Sequence, residues 1–239
     1  MKMPSLPHAP REILTDVVAE LRAKLGKNLY SCILYGSAVR GSFVAGSSNL
    51  NLLIILNYST PAAHREIAGI LRREVRIEPF IISRIGMGRS FEAFAIKFCS
   101  IKHNYQLLYG EDPLRDLMID EKILRFLIEQ ALRNLRLRTV RAYIRLGQDR
   151  EQYIRYLVRI VPQAFTNLGA ALRVNGVPVE GDFAARIPLL TEHLGGHAQV
   201  LKDLLALKEQ KIALSNEELF QVHSKLFTLL DKTIAWLSE

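Results

Sequence analysis

The amino-acid sequence predicts an α/β domain followed by an all-α helical bundle, and two observations support this fold class. Up to about residue 118, short β-branched and apolar runs alternate with segments of helical periodicity, a pattern typical of α/β domains. Beyond that point strand signals stop and long segments of helical periodicity follow, as in helical bundles. We therefore expect an α/β domain over residues 1–117 and a helical bundle over residues 118–239.

The first half is predicted to contain three strands joined by helices. Apolar residues at helical spacing and apolar runs predict helices at 10–25 and 61–74 and strands at 29–35, 50–56 and 75–83. Gly26 is suited to end the first helix. Residues 90–109 give a weaker pattern, which we interpret as a helix through 94–98 and a strand or extended segment at 107–109.

The second half is predicted to be helical throughout. Helices are expected at 120–146, 149–173, 183–194, 197–211 and 216–238. Ser215 is a candidate N-cap, and Glu218 three residues later completes the pattern of a capping box. Trp236 and its apolar neighbours are expected to form core or interface, and an exposed apolar face there would favour a homodimer.

Composition and charge limit the classes of partner and compartment. The chain has 239 residues, 32 Lys and Arg and 24 Asp and Glu, so its net charge is +8. This excess suits either an anionic partner or a solvated basic surface. It is spread over both halves, with 15 basic and 10 acidic residues before residue 119 and 17 and 14 after it, which argues against a dedicated nucleic-acid patch. The N-terminal segment lacks the apolar core of a secretory signal and the longest apolar run is residues 52–56. We therefore expect a cytoplasmic protein with no membrane partner.

Residues 34–56 are the most informative segment. A strand ends at Gly36 and Ser37 and a helix is expected to begin at once, which would place backbone N–H groups and the Ser37 hydroxyl where a phosphate docks. Arg40 follows one turn later and is suited to the same anion. The next strand is expected to begin with Asn49 and Asn51, which would share one face and lie beside the Gly36–Ser37 turn if the strands are neighbours.

This pattern resembles the DNA polymerase β-like nucleotidyltransferase superfamily, in its minimal, aminoglycoside (kanamycin) nucleotidyltransferase-like branch. Members of that superfamily have a strand, a Gly-Ser turn, a short helix and then Asp-x-Asp at the start of a second strand, with a third acid on a later strand. The resemblance implies an α/β nucleotidyltransferase core with a small mixed sheet, followed by a helical bundle. Over residues 34–56 the resemblance rests on motif residues, and over the rest of the chain it rests only on the order of helices and strands.

The chain departs from the family where the metal would bind. The family carries carboxylates at the positions of Asn49 and Asn51, and their task is to hold Mg²⁺ ions for nucleotidyl transfer. We therefore expect no bound metal and no other cofactor. Glu78 stands where the third acid would lie and is the one candidate for a catalytic base. The alternative is a structural Glu on an edge strand beside Pro79.

The sequence thus predicts a catalytically degenerate nucleotidyltransferase-like protein that binds nucleoside triphosphate or a partner through Gly36, Ser37 and Arg40. The alternative is an active nucleotidyltransferase that moves a nucleoside monophosphate from a nucleoside triphosphate to a hydroxyl acceptor through an atypical Mg²⁺ site. In the second half, Arg186 and His193 resemble the Arg and His pair of HEPN-type ribonucleases, although Ile187 departs from that pattern.

Overall fold

The structure is a computed structural model that describes residues 6–41, 43, 49–72 and 76–238. The chain divides into two compact units, Met1–Ile119 and Asp120–Glu239. The first is an α/β unit with a small mixed sheet, and the second is helical.

The first unit alternates helices with four strands. In chain order its elements are α1 (His8–Leu25), β1 (Leu29–Tyr35), α2 (Ser37–Arg40), β2 (Leu50–Leu56), α3 (Pro61–Leu71), β3 (Ile77–Ser83), α4 (Met87–Ala93), α5 (Ala95–His103) and β4 (Tyr105–Gly110). The strands lie in the order β3-β2-β1-β4. Strands β2 and β3 are parallel, and β1 is antiparallel to both β2 and β4. The mixed sheet expected from the resemblance is therefore present.

Both faces of the sheet are buried, which explains the apolar sequence of β2. Alternate residues of this strand, from Leu50 to Leu56, pack in one core with apolar residues of α1 and α3. Leu53 and Ile55 point to the other face, where they share a second core with Phe98 of α5. Because side chains alternate along a strand, Asn51 belongs to the same face as Leu53.

The sequence located β1 and β2 correctly, and the structure changes three neighbouring predictions. Helix α1 begins at His8 rather than at residue 10, and β3 begins at Ile77. The predicted helix end at 74 and strand start at 75 lie outside the described residues. Residues 90–109 hold more structure than expected, namely the end of α4, all of α5 and most of β4.

The second unit is helical, and four of its five described α-helices begin at a side-chain N-cap. Its helices are α6 (Glu121–Leu146), α7 (Arg150–Val174), α8 (Phe183–Leu194), α9 (Val200–Lys208) and α10 (Asn216–Leu237). A 3₁₀ segment, Gly195–Gln199, precedes α9, so the helix expected at 197–211 is shorter than predicted. The Ser215 side chain accepts a hydrogen bond from the Glu218 N–H, and Glu218 bonds back, so the predicted capping box is confirmed. Within the described ranges, every helix is too short or too polar to span a lipid bilayer.

Two hypotheses about the second unit are changed by burial. The apolar neighbours of Trp236 in α10 are buried, and the half-buried Trp236 ring stacks on His193 at 5.2 Å between centroids. These residues therefore supply no exposed apolar face for a homodimer. Arg186 is only 2% exposed, and its Nη1 donates to the Phe165 carbonyl at 2.9 Å. The guanidinium of Arg186 is therefore buried in the core of the second unit and is not accessible to an RNA substrate.

Candidate functional site

One row of polar side chains crosses the sheet where β2 begins. Asn51 pairs with Tyr35 of β1 on one side and with Glu78 of β3 on the other. Tyr35 in turn pairs with Tyr105 of β4. Residues directly opposite one another in a sheet point to the same face. Glu78, Asn51, Tyr35 and Tyr105 therefore stand side by side, and we call them the polar row.

Gly36 packs directly against the centre of the polar row. Its φ is +85°, a conformation that favours glycine, and a methyl group added there would lie 2.7 Å from Nδ2 of Asn51. The Gly36 carbonyl accepts hydrogen bonds from the N–H groups of Val39 and Arg40 at 3.1 Å. The turn that the sequence singled out and the Asn51 amide therefore form one contact, which only a glycine allows.

Ser37 and Arg40 are the two ends of a very short helix. Helix α2 covers four residues and ends at Gly41, whose φ is +76°. Both side chains are half-buried. A single turn aligns few peptide dipoles, so the helix dipole adds little to anion binding. Contact of Gly36, Ser37 and Arg40 with a phosphate stays a prediction, and it depends on individual N–H groups and side chains.

Asn49 differs from its predicted placement. Strand β2 begins at Leu50, whose N–H donates to the Arg76 carbonyl at 2.7 Å, so Asn49 precedes the strand. Its side chain is exposed, whereas that of Asn51 is half-buried. The sheet therefore fixes the position of Asn51 beside Glu78, and Asn49 lies just outside this pairing.

The polar row contains one carboxylate, that of Glu78. The sequence has no Asp or Glu between Glu20 and Glu66, so β1, α2, β2 and their connections supply none. Within the described ranges, no group of three or more His, Cys, Asp or Glu is placed to hold a metal ion. Two amides and one carboxylate do not fit a pair of Mg²⁺ ions, which require several hard anionic oxygens. Glu78 itself lies on an edge strand, as the structural alternative for this residue expects.

Lys97, which sequence reasoning missed, lies over the same face of the sheet. This residue of α5 places Nζ 3.7 Å from the ring centroid of Phe80 and 5.9 Å from that of Tyr35. Phe80 follows Glu78 by two residues on β3 and therefore shares its face. Burial lowers the pKa of Lys97, and the charge of Glu78 opposes that change. The available sequence signal was a lysine among the aromatic residues Phe91, Phe94 and Phe98.

The tyrosines of the polar row are neutral at physiological pH. Burial, with a smaller effect of the Glu78 charge, raises the pKa of Tyr35 to about 12. Burial and a hydrogen bond to Asp112, at 2.9 Å, raise the pKa of Tyr105 to about 12. The charged side chains closest to the centre of the polar row are therefore Glu78 and Lys97, and the Asp112 carboxylate lies beside Tyr105 at its end.

A separate surface depression lies at the opposite end of the parallel strands. It is lined by Asn57, Tyr58, Arg84 and Ile85, which directly follow β2 and β3. Asn57 is six residues beyond Asn51, about 20 Å along an extended strand. This depression contains none of the residues that the sequence singled out.

Comparison with known proteins supports the fold. No protein-family model and no curated protein sequence matches the chain. Among solved structures it is similar to the spectinomycin adenyltransferase AAD(9) from Enterococcus faecialis, crystallised with ATP and spectinomycin. The identity is 16% and the TM-score is 0.54, over 92% of this chain and 98% of that chain. The chain therefore has a nucleotidyltransferase-like fold, an α/β core followed by a helical region.

Proposed function

We propose that this chain is a catalytically degenerate nucleotidyltransferase-like protein that binds nucleoside triphosphate and does not transfer its nucleotidyl group. The observation behind this proposal is the polar row, in which the neutral Asn51 lies between Tyr35 and Glu78 and against Gly36. In the superfamily that the sequence resembles, this position carries a metal-binding carboxylate. Under this proposal Asn51 stands at that position, with a neutral amide in place of the carboxylate.

Loss of transfer follows from the charges at the site. Nucleotidyl transfer requires stabilisation of a triphosphate, an attacking hydroxyl and a leaving pyrophosphate, and the metal ions supply most of it. Replacing one anionic ligand is expected to cost several kcal/mol of barrier, on the order of a thousandfold in rate. With both Asn49 and Asn51 neutral, transfer is expected to fall below detection.

Binding of nucleoside triphosphate is supported by the geometry of the turn rather than by a metal. Gly36 still has the positive φ that brings the backbone close to the Asn51 side chain. Ser37 and Arg40 follow within one helical turn, directly after the end of β1. A solved structure of the same fold holds ATP, which makes a nucleoside triphosphate the first ligand to test.

The position of Glu78 supports one alternative function, that of an active transferase with an atypical metal site. Its register beside Asn51 is suited to a base that accepts a proton from an acceptor hydroxyl. One carboxylate is fewer than two-metal chemistry requires, so we rank this alternative second.

Label transfer from radiolabelled ATP in the presence of Mg²⁺ or Mn²⁺ tests the proposal. We expect no transfer to small hydroxylated acceptors or to protein by the unmodified chain. The variant with Asn49→Asp and Asn51→Asp is expected to gain Mg²⁺-dependent binding of ATP. The control carries Asn134→Asp and Asn216→Asp, at two exposed positions in the second unit. It adds the same charge and should not gain Mg²⁺-dependent binding of ATP. Transfer by the unmodified chain that Ser37→Ala abolishes would establish the active alternative instead.

A further inference from the structure

The ammonium of Lys97 lies above the part of the sheet where the metal-binding acids are missing. Its Nζ contacts the ring of Phe80 on β3 and lies 5.9 Å from the ring centroid of Tyr35 on β1. Strand β2 runs between β3 and β1, and its residues opposite Phe80 and Tyr35 are Leu53 and Asn51. The positive charge is therefore placed over the β2 segment that begins at Asn51.

The packing of α5 fixes this placement. The next residue, Phe98, is fully buried against the sheet, and its ring lies 5.6 Å from that of Phe80. Lys97 therefore lies at the edge of the core that contains Phe98, with its ammonium over the rings of Phe80 and Tyr35. A cation over an aromatic face is stabilised by the ring quadrupole. The residue as a whole stays exposed to solvent, so an anion has access to the ammonium.

The charge of Lys97 is available to a ligand. Lys97 takes part in none of the ion pairs formed among the described residues. Glu78 acts on it through its charge, and Asn51, which lies between Glu78 and Tyr35 in the sheet, is neutral. An ammonium in this position repels a divalent cation and attracts a polyphosphate.

We propose that Lys97 supplies the fixed positive charge that a polyphosphate meets at this site, so that nucleoside triphosphate binds without a divalent cation. This inference rests on the proposed function and names the group that replaces the metal. A lysine ammonium is a compact point charge that suits phosphate oxygens. It neutralises charge without holding an attacking and a leaving oxygen in line, which agrees with binding without transfer.

Titration calorimetry with ATP in excess EDTA tests this inference on the full chain. The variant Lys97→Gln is expected to bind ATP about tenfold more weakly than the unmodified chain, the effect of losing one charged hydrogen-bond partner. Lys97→Arg keeps the charge and should bind within about threefold of the unmodified chain. The control is Lys24→Gln, an exposed lysine on α1, which packs against the other face of the sheet. It should leave binding unchanged.

The outcomes separate this inference from the proposed function. If the unmodified chain binds ATP in EDTA and Lys97→Gln binds as tightly as Lys24→Gln, the role of Lys97 is wrong and the proposed function stands. If the unmodified chain binds ATP only when Mg²⁺ is added, Lys97 does not replace the metal. If it binds ATP under neither condition, both the proposed function and this inference are overturned.

Discussion

Gly36 and Asn51 make the contact on which the geometry of the site depends. The glycine has a positive φ, and its α-carbon leaves no room for a methyl group beside the Asn51 amide. A left-handed conformation is costly for any residue with a Cβ. The positive φ of Gly36 therefore allows the close contact between this turn and the Asn51 side chain.

The substitution Gly36→Ala is expected to lower the free energy of unfolding of the first unit by about 1–3 kcal/mol, because it adds backbone strain and a clash with Asn51. Both cysteines, Cys32 and Cys99, are buried in this unit, so thiol labelling in urea reports its unfolding. The control is Gly69→Ala in α3, where the φ is not positive and an added methyl group meets nothing within 4 Å. It should be neutral or stabilising by about 0.5–1 kcal/mol. Equal effects of the two substitutions would contradict this account of the turn.

Cys32, in the centre of β1, makes stability depend on pH. Burial raises the pKa of its thiol from an ordinary value of 9.0 to about 12. The unfolded chain therefore loses this proton first, and the stabilisation that is present below pH 9 is lost as the pH rises towards 12. At pH 10 the loss is about 1 kcal/mol relative to pH 7.

Urea unfolding followed by circular dichroism between pH 7 and pH 10 tests this dependence. The unmodified chain should lose stability over this range, and Cys32→Ala should lose less, whatever its stability at pH 7. Parallel curves for the two proteins would show that Cys32 is not the group responsible. Tyr35 and Tyr105, whose pKa values are raised from 10.0 to about 12, begin to lose stabilisation only as the pH reaches 10, where each contributes no more than about 0.4 kcal/mol.

At the residue scale, the sequence was informative about Asn51 and silent about Lys97. Gly36, Ser37 and Asn51 follow a spacing that has a chemical interpretation, and the sheet brings Gly36 and Asn51 into contact. A lysine in an apolar helix has no such pattern, because most lysines cover apolar surface with their stems and place their charge in water. Only the packing of α5 shows that this ammonium lies over the polar row.

At the scale of elements, helix α10 has the strongest local signal of the second unit. Ser215 Oγ accepts from the Glu218 N–H at 3.3 Å, and Glu218 Oε2 accepts from the Ser215 N–H at 2.7 Å. Both bonds satisfy N–H groups at the first turn that have no partner within the helix. The capping pair therefore fixes where α10 begins.

The substitution Ser215→Ala is expected to lower the free energy of unfolding by about 1 kcal/mol, because it removes this cap. Trp236 is the single tryptophan of the chain and lies in α10, so its fluorescence in urea reports the unfolding of the second unit. Ser224→Ala is the matched control, since Ser224 is exposed within the same helix and Ala favours helix there. A loss for Ser224→Ala as large as that for Ser215→Ala would argue against the capping role.

The elements that could be predicted from sequence are those with a regular local pattern. Strands β1 and β2 are continuous apolar runs between turns, and their bounds agree with the prediction. Helix α5 buries Phe98, Cys99 and Ile101 close together and has no single apolar stripe, so its extent could not be read from periodicity. The order β3-β2-β1-β4 depends on long-range pairing, for which a single sequence carries no direct signal beyond the family resemblance.

At the scale of the whole molecule, charge and fold give consistent information. The net charge of +8 includes the effect of two asparagines at positions where the resembled family has acids. The fold is similar to that of an adenyltransferase crystallised with ATP over nearly the full length of both chains. The fold is therefore nucleotidyltransferase-like, and the start of β2 carries the neutral Asn51 with Glu78 beside it and Lys97 nearby.

The affinity of the unmodified chain for ATP, measured by calorimetry with excess Mg²⁺ and again with excess EDTA, tests the central claim most directly. If the triphosphate binds as proposed, ATP should bind without Mg²⁺ as tightly as with it, within about threefold, or more tightly. Affinity that rises about tenfold or more on adding Mg²⁺ would show a working metal site. That result would contradict a site that keeps triphosphate binding without a metal.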